Sequence, residues 1–130
     1  MPTVGVHSRS DRTEPDKDRV LSMAVARTAG FLAISNKELA GILGLSQASV
    51  SRLMKGQYLL REGRKEYELG VLLVRLFRSL DALTGGDDRS SRSWLRSENL
   101  VLGGRPVDLI TTITGLMGVI AYVDSRRAKL

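Results

Sequence analysis

Residues 34–56 read ISNKELAGILGLSQASVSRLMKG, and this stretch decides the fold. Ser35 followed three residues later by Glu38 is a capping box: the serine hydroxyl accepts from the Glu38 amide, and the Glu38 side chain returns to the Ser35 amide. Ile34 and Leu39 stand where a hydrophobic staple places its pair. A helix is expected from Asn36 to Leu43, stopping at Gly44. Only Leu45 separates Gly44 from Ser46, a second N-cap, and Leu45 with Val50 repeats the staple spacing. The second helix is expected to run to about Lys55 and to end at Gly56.

Two short helices crossing at a large angle impose strict demands. A small residue is needed where they touch, and Ala40 supplies it. The turn needs a residue that tolerates positive φ, and Gly44 supplies that. Leu39, Leu43, Leu45, Val50 and Leu53 give the apolar seam. Together these features describe a helix-turn-helix. The exposed face of its second helix is then Ser46, Gln47, Ala48, Ser51, Arg52 and Lys55. Its small, polar N-terminal end can approach base edges in the major groove, with Gln47 suited to adenine and Arg52 to guanine. Ser46, Ser51 and Lys55 suit phosphate, and Arg61, Arg64 and Lys65 are candidates for further backbone contacts. The plainer reading is a pair of helices that merely pack. The coincidence of capping box, Ala40, Gly44 and seam argues against it.

Working outward, residues 1–15 are polar and without periodicity and are expected to form a disordered arm. A helix begins after Pro15 and Asp16, carries Val20, Leu21, Ala24, Val25 and Thr28 at helical spacing, and is expected to end at Gly30. After a polar connection at 57–63, a long helix is expected over 64–84. Tyr67, Val71, Val74, Leu80 and Leu83 form its apolar stripe, widened by Leu72, Leu73, Leu76 and Phe77. A face that wide meets more than one neighbour. Gly85 and Gly86 break it. A short helix is expected around Ser91–Ser97, a Gly103-Gly104 turn follows, and Pro106 starts a helical turn. A last helix covers roughly 112–127, with Leu116, Val119, Ile120 and Val123 inward. The fold class is all-α: a helix-turn-helix bundle over 16–60, a central helix at 61–88 suited to dimerisation, and a small helical domain at 89–130.

The 130-residue chain carries a net charge of +6, which favours an anionic partner, nucleic acid first. The excess is localised: net +3 over residues 20–60 and net +3 over 91–130, with the two other segments balanced. Two charged surfaces are therefore expected. With no cysteine, disulfides, thiolate metal sites and cysteine nucleophiles are excluded. His7, the only histidine, falls in the arm and offers no triad. Gly85-Gly86 and Gly103-Gly104 belong to no phosphate-loop pattern, and Asp87 with Asp88 reads as a solvated loop rather than a metal site. No catalytic residue, metal or cofactor is expected. The absence of a signal-peptide core or a long apolar run points to a cytoplasmic protein with no membrane partner.

The C-terminal third adds a resemblance. Ser93-Trp94-Leu95-Arg96-Ser97-Glu98-Asn99, Leu102-Gly103-Gly104-Arg105-Pro106, Asp108-Leu109-Ile110, Gly115-Leu116 and Tyr122 together resemble the toxin-binding domain of the Xre/MbcA/ParS antitoxins. The helix-turn-helix matches that family's N-terminal half. The resemblance implies an antitoxin of a type II toxin–antitoxin system. Such a protein blocks a partner toxin, commonly of the RES type that destroys NAD⁺. It represses its own operon as a homodimer or in a larger complex with toxin.

Trp94, Arg105, Arg126, Arg127 and Lys129 are the toxin-binding candidates. Trp94 also has a structural role open to it, as an anchor of its short helix. The basic tail 125–130 reads either as a solvated helix end suited to the dipole or as an arm reaching into the phosphate-binding pocket of an NAD⁺-consuming toxin. The competing reading is a plain dimeric repressor with no toxin partner. An architectural chromosome-binding protein would carry a higher basic density.

Overall fold

The computed structural model describes residues 16–128. The arm at 1–15 and Lys129 lie outside the described residues. Among these residues there are seven helices: α1 (Lys17–Phe31), α2 (Asn36–Leu43), α3 (Gln47–Met54), α4 (Lys65–Leu83), α5 (Asp88–Arg96), α6 (Pro106–Leu109) and α7 (Ile113–Ala128). The only extended pairing among them is an isolated antiparallel bridge between Asn99 and Gly104. The all-α expectation holds.

Local chemistry sets most boundaries. The Asp16 carboxylate caps α1 by accepting from the Asp18 amide at 3.0 Å. The Ser35–Glu38 box is present in both directions, at 3.1 and 2.9 Å. Gly44 takes the left-handed conformation, with φ of 70°.

Two boundaries depart from the sequence reading. Gly30 does not end α1, which runs on to Phe31. The stop is a Schellman motif three residues beyond Gly30: the Ile34 amide reaches the Ala29 carbonyl and the Ala33 amide reaches the Gly30 carbonyl. Its left-handed position is Ala33, with φ of 54°, the only non-glycine with positive φ among the described residues. The short helix begins at Asp88 rather than near Ser91, because Asp87 caps it by accepting from the Arg89 amide and the Ser90 hydroxyl.

α4 is the spine. α1 and α7 make the most extensive packing against it, and α2 and α5 also touch it. Its buried residues are Gly70, Leu73, Val74, Leu76, Ser79 and Leu80. Gly70 permits the close approach of α1: a Cβ there would stand 3.0 Å from Val25 and 3.1 Å from Leu60. Further along, Phe31 and Phe77 stack with centroids 5.6 Å apart. α7 turns Leu116, Val119, Ile120 and Val123 inward, as its spacing requires. The apolar stripe of α4 is wider than the other described residues cover: Val71, within that stripe, is 43% exposed.

Candidate nucleic-acid interface and protein-docking surface

The seam between α2 and α3 is as the sequence requires. Leu39, Leu43, Val50 and Leu53 are at most 2% exposed and Ala40 is buried, so α3 is held rigidly on α2. Its other side is left to solvent. Ser46, Gln47, Ala48, Arg52 and Lys55 are exposed and Ser51 is half-buried. Ser46 is the N-cap, as the sequence reading expects, accepting from the Ser49 amide at 3.1 Å and donating to the Ser49 hydroxyl at 3.0 Å, so the hydroxyl assigned to phosphate is already engaged within the helix.

Arg52 is pre-oriented. It donates to the Ser49 hydroxyl at 3.2 Å, and its guanidinium stands over the Tyr58 ring, 6.0 Å from the centroid. A guanidinium already tethered by a hydrogen bond and a nearby aromatic ring loses less freedom when it meets a base edge or phosphate. Ser49 and Tyr58 were not singled out in the sequence. The signal was there in retrospect: Ser49 is one turn before Arg52, and Tyr58 follows the helix-ending Gly56.

The basic residues around α3 fall in three places. Arg61 and Arg64 border a depression of about 330 Å³ with Gln57 and Tyr58, beside the C-terminal end of α3. Arg19, Arg27 and Lys55 border another of about 380 Å³ between α1 and α3. Lys65 is separate from both, in a groove with Gly41 and Gly44.

The C-terminal third builds a different surface. Trp94 is half-buried and stacks on Tyr122 of α7, with centroids 6.3 Å apart and planes inclined by 18°, while its neighbour Leu95 is 1% exposed. Between α5 and α6 the chain makes a tight loop. The Asn99 amide donates to the Gly104 carbonyl and the Gly103 amide to the Asn99 carbonyl, and the Asn99 side chain accepts from the Leu102 amide. Gly103 supplies the positive φ that this turn needs. The tip of the loop is apolar and unsupported: Leu100 is 96% exposed and Val101 76%. Sequence reasoning passed over this pair, although two large aliphatics inside a turn closed by Asn99 and Gly103 have no route to a core.

The cationic candidates do not form one cluster. Arg105 is exposed and pairs two-pronged with Asp108, at 2.9 and 3.1 Å. That pairing raises its pKa, and it also feels the charges of Arg96 and Glu38. Arg127 turns toward α4, donating to the Ser79 hydroxyl at 3.1 Å. The same hydroxyl donates to Asp124 at 2.6 Å, and Arg75 reaches Asp124 at 3.0 Å. The Ser79 hydrogen bond, with Arg75 and Arg127 nearby, holds the Asp124 carboxyl below its ordinary range. Arg126 is exposed, one turn beyond Tyr122 on the same side of α7. The structure thus brings Arg126 to the Trp94–Tyr122 side and commits Arg127 to the spine.

No helix among the described residues is long and apolar enough to cross a membrane. Comparison with known families gives two adjoining matches. Residues 11–75 match the antitoxin Xre-like helix-turn-helix domain, and residues 79–129 match the antitoxin Xre/MbcA/ParS C-terminal toxin-binding domain. Neither is an enzyme family. No curated protein matches the chain. With the first match spanning half of the sequence and the second most of the remainder, the chain belongs to the Xre/MbcA/ParS antitoxin family, a DNA-binding helix-turn-helix joined to a toxin-binding domain.

Proposed function

We propose that the protein neutralises a RES-type, NAD⁺-degrading toxin in the cytoplasm and represses its own operon through α3. The observation that carries the reading is the coexistence in one chain of two unengaged surfaces of different chemistry. One is the polar face of α3, with Gln47 and Lys55 exposed and Arg52 held ready over Tyr58. The other is the Leu100–Val101 tip beside the Trp94–Tyr122 stack. Adjacent exposed aliphatics beside an aromatic pair make an apolar patch of the kind that marks protein contacts, with Trp94 and Tyr122 of the residue types that anchor them. Arg126, with the Arg105–Asp108 pair, supplies the polar rim. The RES assignment rests on the family resemblance and on the basic tail, which suits a pocket that handles phosphates. Co-expression with the product of the adjacent gene tests it. The two proteins should co-purify, and the neighbour alone should arrest growth and deplete NAD⁺. A plain repressor would co-purify with nothing.

Self-association through α4 completes this reading. Two grooves flank the exposed Val71. The one between α1 and α7 is bordered by Lys17, Arg75, Arg78 and Arg127 against the single carboxylate of Asp124, so two copies meeting there would oppose cation to cation. The other, about 660 Å³, is apolar and carries one Lys65 and one Glu68. A two-fold contact there leaves Lys65 of each copy free to pair with Glu68 of the other. Ile113 lines it and is 63% exposed. Sedimentation should find a dimer that Ile113→Glu dissociates.

A further inference from the structure

The helix that carries Trp94 also holds the entrance to the DNA-reading pair. Arg92 and Arg96 lie four residues apart on α5, on one face. Arg92 donates to the Phe31 carbonyl at 3.0 Å, at the C-terminus of α1. Arg96 donates to the Ala33 carbonyl at 2.7 Å and to both carboxylate oxygens of Glu38, at 2.8 and 3.0 Å. α1 has no basic residue in its own last turn, so its exposed carbonyls are answered by cations from the other half of the molecule. Ala33 is the left-handed residue on which the α1–α2 corner turns. Glu38 is the residue that closes the capping box at the start of α2. One guanidinium therefore ties three acceptors of the corner, the Ala33 carbonyl and both Glu38 carboxylate oxygens, and Glu38 in turn accepts from the Ser35 amide.

We propose that Arg96, assisted by Arg92, is a positioning residue for DNA reading, so that α5 of the toxin-binding half fixes how α2, and with it α3, stands on the spine. α2 and α3 move as a unit because their seam is fully buried. A change of tilt at the corner is therefore delivered to Gln47 and Arg52. Arg96 itself is 58 residues from Glu38 in sequence and belongs to the family's other functional half. This inference rests on the operator-binding reading above.

The test uses the full chain and a duplex spanning the promoter of its own gene. Arg96→Ala and Glu38→Gln should each weaken binding about tenfold under conditions where the variants remain folded. The double variant should be no worse than the worse single one. The slope of log affinity against log salt should stay unchanged, because Arg96 orients the reader without touching phosphate. Arg96→Lys keeps the charge but lacks the planar fork that meets the Ala33 carbonyl and both Glu38 oxygens at once, and should not restore affinity. Arg89→Ala, which removes a cation from the same helix, should bind as the parent does. A slope reduced by about one would make Arg96 a phosphate contact and overturn the proposal, as would unchanged affinity. Amide exchange in the free protein keeps the question separate from operator binding. Arg96→Ala should speed exchange across residues 36–54 and spare α7. Uniform acceleration across both, or none, overturns the proposal even if the parent never binds the duplex.

Discussion

The hydroxyl of Ser22 on α1 accepts the Leu60 amide at 2.7 Å across 38 residues of sequence, while donating to the Asp18 carbonyl at 2.6 Å. Leu60 is fully buried in the irregular connection between α3 and α4, where no helix or ladder offers its N–H a partner. Ser22→Ala should therefore strand a buried donor and lower stability by about 1–3 kcal/mol. Urea unfolding would show a lower midpoint with an unchanged slope.

The α1–α2 corner offers the opposite sign. A side chain in the left-handed region costs about 1–2 kcal/mol, and glycine in the unfolded chain costs back about 0.5–1 kcal/mol in entropy. Ala33→Gly leaves the backbone bonds of the Schellman motif and the carbonyl that Arg96 uses untouched. It should raise stability by up to about 1 kcal/mol, read as a higher Tm. A fall would mean that the Ala33 methyl makes contacts worth more than the strain.

Much of the reader was legible because its determinants are local. A capping box and a left-handed Gly44 are each settled within a few residues of chain, and the structure keeps both; Ile34 and Leu39, the expected staple pair, are both buried. What escaped needed either a long reach or a broken habit. Ala33 sits where glycine is usual, so Gly30 drew the helix end one residue early and three residues before the left-handed position. The Arg96–Glu38 pair joins two halves of the molecule, and nothing local marks that arginine among its neighbours. The width of the α4 stripe was visible, but not that its Val71 flank goes uncovered, because which side a helix buries depends on where α1 and α7 lie. The Leu100–Val101 tip was legible in principle, as apolar residues confined to a turn.

Two glycines separate conformational need from accident. A Cβ on Gly115 would run into the Leu109 carbonyl oxygen and stand 2.8 Å from the Leu109 carbonyl carbon and 2.9 Å from the Thr112 hydroxyl, which caps α7. Backbone cannot yield as a flexible side chain does. Gly115→Ala should therefore open the α6–α7 junction and cost about 3 kcal/mol or more. Gly30 is helical, with nothing within 4 Å of its Cβ position. Gly30→Ala should stabilise by about 0.5–1 kcal/mol. Calorimetry on the pair should move Tm in opposite directions.

Acid should find the corner. The Arg96 hydrogen bonds, helped by the Ser35 amide, lower the Glu38 pKa from 4.5 to about 2. A carboxylate with a depressed folded pKa contributes fully above its unfolded value. That contribution is lost as pH falls through the folded one, here between about 4.5 and 2. Asp124, lowered chiefly by Ser79, adds a loss of the same sign. With Glu38 27% and Arg96 37% exposed, solvent screening leaves about 1–2 kcal/mol to be lost over that range. Glu38→Gln should be less stable at pH 7 and should flatten the acid limb of a stability–pH curve. An unchanged limb would show that the pair contributes little.

The two faces should fail independently. Arg52→Ala removes a pre-oriented guanidinium from α3 and should cost about 1–3 kcal/mol of operator affinity, lost mainly at one base position if Arg52 reads guanine and evenly across sequences if it meets phosphate. Neutralisation of toxin should be untouched, because Arg52 bonds only within α3 and to Tyr58. Leu100→Asp places a charge on an almost fully exposed tip, where folding has little to lose. It should abolish co-purification with toxin while gel-shift affinity for the operator stays as in the parent. Both variants keep the buried seam and spine intact, so circular dichroism and Tm should match the parent's. If either variant lost both activities with its Tm preserved, DNA and toxin would have to share a surface. The separation of α3 from the Leu100 loop would then have no functional meaning.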